Sequence, residues 1–137
     1  MTTVFEKIIA GDIPAVRVYE DEHVIAILDI APVTEGHTLV IPKNPVALLS
    51  DLPFTDSMHV FSVVRKLTKA LREALSCDAV TVLLRDGPAA GQEVPHLHVH
   101  LIPRYENDSL GPGFGGAGEQ SSTEEREVVA EKIRATL

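Results

Sequence analysis

From Pro95 to Pro103 the chain reads Pro-His-Leu-His-Val-His-Leu-Ile-Pro. Polar and apolar side chains alternate with a period of two, the spacing that a β-strand sorts onto opposite faces. The pattern predicts a strand over His96–Ile102, ended by Pro103. On it His96, His98 and His100 form a row, roughly 7 Å from one Cα to the next. Leu97, Val99 and Leu101 turn the other way, into a core. A strand with one imidazole face and one aliphatic face needs other strands beside it and an apolar layer behind it.

The rest of the chain supplies both. Val4–Ala10 reads as a short helix, with Phe5 and Ile8 at helical spacing and Gly11 as its stop. Strands are predicted around Val16–Tyr19, over Val24–Ile30, Thr38–Ile41 and Ala79–Leu84. A short helical piece after Asn44 and Pro45 ends near Leu52. Thr55–Ser76 is the clearest helix, its apolar stripe traced by Met58, Phe61, Val64, Leu67, Leu71 and Leu75. Strands before and after one long helix, with short connections, predict an α+β fold with a mainly antiparallel sheet. Residues 107–122 are Gly-rich and poor in apolar side chains, which predicts a mobile linker. Ser122 and Glu125 resemble a capping box opening a last helix, residues 123–137, whose docking the sequence does not fix.

The 137 residues suffice for one core. Twenty acidic against twelve basic residues give a net charge of −8, against a bulk nucleic-acid binder or an anionic-membrane binder. A small anion held by local groups remains compatible with that charge. The single cysteine, Cys77, cannot close an internal disulfide, and no signal peptide or membrane span is evident; a cytoplasmic setting is expected.

Imidazoles in a row can bind a metal, serve as nucleophile and acid–base groups, or line a solvated strand face. Three in alternation speak against the last. Taken alone, the row allows a metal about as readily as a nucleophile. The preceding loop tilts the balance. Gly87, Ala89, Ala90 and Gly91 let backbone N–H groups approach an anion, and Gln92 adds a neutral donor. That set suits a phosphoryl centre. Glu93 could still give a metal its carboxylate.

Gly91–Arg104 resembles the signature of the histidine-triad (HIT) family, His-φ-His-φ-His-φ-φ with φ apolar. Phe5–Pro14, Leu28–Pro32 and Gly36–Lys43 resemble segments of its Hint branch, so the likeness covers about residues 3–105. The resemblance implies a catalytic domain over 1–106 and a homodimer in which two five-stranded sheets join. It implies that His98 attacks the α-phosphorus of a nucleotide derivative, forming a nucleotidyl-histidine that water cleaves to a nucleoside monophosphate. His37 would be a fourth histidine of the site, and His96 and His100 would orient His98, contact phosphate and shuttle a proton. Crowded imidazoles should keep His98 neutral.

The same likeness assigns Asp29 to ribose hydroxyls and Phe5, Ile8, Ile27 and Ile30 to the wall of a purine base. Core packing is the plain alternative for those four. Gln92, Glu93 and Arg85 complete the implied substrate contacts. No cofactor is implied. Many members bind a structural zinc through N-terminal cysteines; Thr3 and Glu6 stand at those places, so no such zinc site is expected. Where many members carry Asn, this chain has Arg85 and Asp86. His23 and His59 fall outside every motif and read as surface residues. A nucleotide-binding regulator with little turnover is the alternative from another class.

Overall fold

The computed structural model describes residues 2–113 and 118–137. Helix α1, Val4–Ala10, opens on a reciprocal cap. The Thr3 hydroxyl accepts the Glu6 N–H at 3.2 Å, and the Glu6 carboxylate accepts the Thr3 N–H at 3.3 Å. Thr3 and Glu6 are thus occupied with starting the helix. Gly11, at φ +85°, closes it in the left-handed region.

Five strands follow: β1 Arg17–Glu20, β2 Val24–Leu28, β3 Thr38–Pro42, β4 Ala79–Leu84 and β5 Val99–Arg104. They form one antiparallel sheet in the order β1-β2-β3-β5-β4. Every residue of β2 and β3 is buried, because both faces of the sheet centre are covered. Alternation sorts their side chains into two cores. Val24, Ala26, Leu28, Val40, Val99 and Leu101 pack against the long helix α2, Phe54–Leu75, and against α3, Thr123–Arg134. Ile25, Ile27, Leu39 and Ile41 pack with Phe5 and Ile8 of α1 on the opposite face. The predicted α+β class is the class observed.

Four local expectations are corrected. Strand β5 begins at Val99, three residues after His96. The reason lies in the backbone: the His96 N–H donates to Val94 O and the Leu97 N–H to Val46 O, each at 2.8 Å, so neither feeds a ladder. Strand β2 stops at Leu28, two residues short of Ile30. The helical piece near Leu52 shrinks to a single 3₁₀ turn, Leu49–Asp51. The stripe of α2 is rotated: Val60, Val63, Val64, Leu67, Ala70 and Leu71 are buried, while Met58 and Phe61 are 58% and 42% exposed. With Phe54 they make a second, outward apolar stripe at spacings of four and three.

The C-terminal helix α3 docks through Val129, Ala130 and Ile133 into the α2-side core. Its Arg134 donates to Arg17 O on β1 at 2.7 and 2.9 Å. Residues 114–117 of the predicted linker lie outside the described residues. On either side of them the chain is tied down. Arg104 pairs with Asp108 at 2.8 Å, and Gly118 and Ser121 donate backbone N–H groups to Ala31 O and Ile30 O at 3.1 and 2.9 Å. Among the described residues no helix is long and apolar enough to cross a membrane.

Leu67 is fully buried between α2 and the sheet. Its replacement by Ala is expected to cost about 3 kcal/mol of unfolding free energy, read by urea denaturation.

Candidate active site

Strand pairing sets the site. Leu39 of β3 lies opposite His100 of β5, and so does Leu83 of β4. His100 therefore shares a face with Leu39 and α1, away from α2. There a cavity of about 410 Å³ opens, lined by His98, His100, Asp29, Arg85, Gly91 and Glu93 on its polar side. Phe5, Ile8, Ile27, Ile30, Leu39 and Val94 are among its apolar walls. A larger hollow of about 630 Å³ lies between the Asp29–His37 loop and α3. It touches His37 but neither His98 nor His100, so the smaller one is the candidate site.

Most predicted site residues thus meet around one cavity. His37, His96 and Gln92 do not line it. The Gln92 amide braces its own loop: Oε1 accepts the Gly87 N–H at 2.9 Å and Nε2 donates to Ala47 O at 2.8 Å. The Asp86 carboxylate is likewise turned to the fold, accepting the Leu49 N–H at 2.9 Å. His59, read from sequence as a plain surface residue, pairs with Asp21 at 2.6 Å.

Backbone partners fix the proton positions of His96, His98 and His37, because a carbonyl can only accept and an N–H can only donate, and His37 then fixes that of His100. His96 is fully buried, and its Nε2–H donates to Pro42 O at 2.7 Å. His98 Nδ1–H donates to His96 O at 2.8 Å, which leaves Nε2 with the lone pair. The Val33 N–H donates to His37 Nδ1 at 3.1 Å, so the proton of neutral His37 sits on Nε2. That proton is given to His100 Nδ1 at 2.9 Å, and His100 in turn carries N–H at Nε2. The result is one imidazole with a free lone pair beside one with a free N–H, their ring centres 5.0 Å apart. Phe5 packs edge-on against His98, with centroids 4.9 Å apart, and limits its rotation.

The same polarity weighs against a metal. His96 faces Pro42 and cannot converge with His98 and His100 on one ion. Asp29, His37 and His100 do bring ligand atoms within 4.8 Å of one another. However, His37 already spends its Nδ1 lone pair on an amide, so its Nε2 holds a proton where a metal needs a lone pair.

All four histidines are pushed below the usual imidazole range, chiefly by burial. His100 falls to about 3, with the charges of His37, His98 and Arg85 adding to burial. The crowding expected from sequence therefore contributes, but desolvation leads. Val33 and Pro42 were missed by sequence reasoning, since a backbone N–H or C=O leaves no mark in residue identity. Leu39 could have been found, from its place in the same alternation as Ile41.

A match to the HIT domain model spans residues 10–107. The chain belongs to the HIT family. The "Protein hit" of Bacillus subtilis is 48% identical over 114 residues, covering 82% of this chain and 75% of that protein. The adenosine 5′-monophosphoramidase hnt1 of Schizosaccharomyces pombe is 36% identical over 137 residues, covering 100% of this chain and 99% of that protein. Among solved HIT structures, a Hit-like protein of Bartonella henselae superposes with a TM-score of 0.88 at 41% identity, covering 99% and 97% of the two chains. The HIT fold, the five-stranded sheet and the long helix are common ground; that superposition also reaches beyond the HIT-domain match, into the tail.

Neutral histidines in the native protein make its stability pH-dependent. Below pH 6.5 the unfolded chain binds protons that the folded chain refuses, so unfolding gains ground as pH falls towards the depressed native values. Urea midpoints are expected to drop from pH 7 to pH 5, and His100→Asn should flatten that slope. A slope unchanged in the variant would contradict a neutral buried His100.

Proposed function

We propose that this HIT protein transfers a nucleotidyl group from the α-phosphorus of a nucleotide derivative to water, through a covalent bond to His98. The observation that carries the reading is the tautomer pattern. His98 is held with its Nε2 lone pair available, and His100 beside it with an N–H to give. In the first step Nε2 bonds to phosphorus and the bond to the leaving group breaks, its electron pair departing with that group. When the leaving atom is an amine nitrogen, it needs a proton: one taken up with the anionic substrate makes His100 an imidazolium, and its Nε2–H passes to that nitrogen as the ring returns to neutral. Water then attacks phosphorus, the N–P bond returns its pair to His98, and the proton of water goes to the site's imidazoles. A buried neutral imidazole is nucleophilic near pH 7, and its phosphoramidate is labile enough to turn over.

Asp29 accepts ribose hydroxyls in this reading, and Phe5, Ile8, Ile27 and Ile30 enclose a purine. Ile30, 56% exposed, is the wall with most surface to lose on binding. The monophosphoramidase name of the fission-yeast relative supports phosphoramidates as one substrate class. Two copies are proposed to join through β4, an edge strand whose Val82 is 47% exposed. The outward stripe Phe54, Met58 and Phe61 would be covered in the same event.

His98→Ala is expected to lower release of nucleoside monophosphate from adenosine 5′-phosphoramidate by at least about 1000-fold while still binding AMP. Equal rates would sink the nucleophile assignment. AMP binding by the wild type with no turnover on any nucleotidyl substrate would favour the regulatory alternative. Val82→Glu is expected to shift the sedimenting species from dimer to monomer.

A further inference from the structure

Arg85 directly follows β4, and its surroundings give it a task. Strand β4 pairs with β5 up to Leu84 opposite Val99. Arg85 follows Leu84 directly, as His98 directly precedes Val99. It lines the same cavity as His98 and His100, and it is the only Lys or Arg among the described residues that do. Its charge reaches His37, His98 and His100, opposing protonation of all three.

The placement of Arg85 is built into the loop. Gly91 has φ +94°, and a Cβ there would come within 3.2 Å of Arg85 Cδ and 3.5 Å of its Nε. The bare backbone of Gly91 is what lets the Arg85 stem lie along the loop that leads into the triad. Asp29 and Glu93 are the acidic residues of the cavity, and its histidines are neutral. A ligand carrying several negative charges therefore meets one cationic side chain there among the described residues, Arg85.

We propose that Arg85 determines leaving-group preference, holding a phosphate or sulfate attached to the α-phosphorus and thereby favouring nucleotidyl anhydrides. The inference rests on the nucleotidyl-transfer reading and extends it to a substrate class. When an anhydride breaks, the bridging oxygen keeps the bond pair and leaves as part of a stable anion. It needs a cation nearby more than it needs a proton. A guanidinium answers that need, since it stays charged and cannot act as an acid at neutral pH. When a phosphoramidate breaks, the amine nitrogen needs a proton and carries away no negative charge. Arg85 has little to offer that step, and His100 has much.

The test compares Arg85→Gln with wild type on three substrates that share the adenosine 5′-phosphoryl group: adenosine 5′-phosphoramidate, adenosine 5′-phosphosulfate and diadenosine triphosphate. The ratio of kcat/KM for each anhydride over the phosphoramidate is expected to fall about 100-fold, as for loss of one donor aimed at developing charge. Arg85→Lys should restore part of it. Parallel losses on all three, leaving the ratios within about threefold, would overturn the proposal and assign Arg85 to the α-phosphate. A fall confined to one anhydride would overturn the shared phosphate-or-sulfate site. A binding arm separates this from the nucleophile assignment. Calorimetry with ADP and AMP on His98→Ala, with and without Arg85→Gln, should show the preference for ADP lost with Arg85, whether or not His98 proves to be the nucleophile. An unchanged ADP preference would also overturn the proposal.

Discussion

A backbone amide can donate and never accept, and the site rests on that asymmetry. The Val33 N–H reaches His37 Nδ1, and from that single bond the protons of His37 and His100 follow in turn. The His96 carbonyl does the converse for His98. Two imidazoles of identical chemistry are thereby given opposite parts, one with a lone pair to offer and one with a proton. Side chains alone could not hold that distinction, because a histidine facing a histidine can share its proton either way. Burial completes the arrangement by making a second proton costly on any of the rings.

The sheet delivers these backbone groups to the right place. Alternation in β2, β3 and β5 sends one set of side chains to the α2 core and the other to α1. His100 belongs to the second set through its pairing with Leu39. His96 and His98 precede the strand, so they escape its strict alternation. That freedom lets His96 plunge to Pro42 O while its own carbonyl turns to His98. A regular strand through residue 96 would have committed that carbonyl to the ladder and left His98 without its orienting acceptor.

Much of this was legible in the sequence. The α1 bounds and the β4 bounds came out of caps and alternation as they stand. The gathering of Phe5, Ile8, Ile27, Asp29, Ile30, Arg85, Glu93, His98 and His100 was readable through the family likeness. Periodicity misled where it met a rule of its own kind. His-x-His-x-His looks like continuous strand, yet whether a residue joins a ladder depends on where its N–H goes, and that is not encoded locally. Met58 and Phe61 fit a helical stripe as well as Val60 and Val63 do. Only the shape of the sheet beneath α2 selected the smaller, branched set. Gln92 carried the right chemistry for phosphate, but the loop it sits in required its amide first.

The bonds from Ser121 and Gly118 to Ile30 and Ala31 reach back some ninety positions along the chain. A ribosome makes Asp29 and Ile30 well before Ser121. The nascent protein can pair its strands and lay α2 on them while the Ile30–Val33 turn still lacks these ties. That turn holds the amide on which the histidine protons depend. Assembly of the surroundings of the candidate site can thereby wait until Ser121 is made, after the scaffold that carries them.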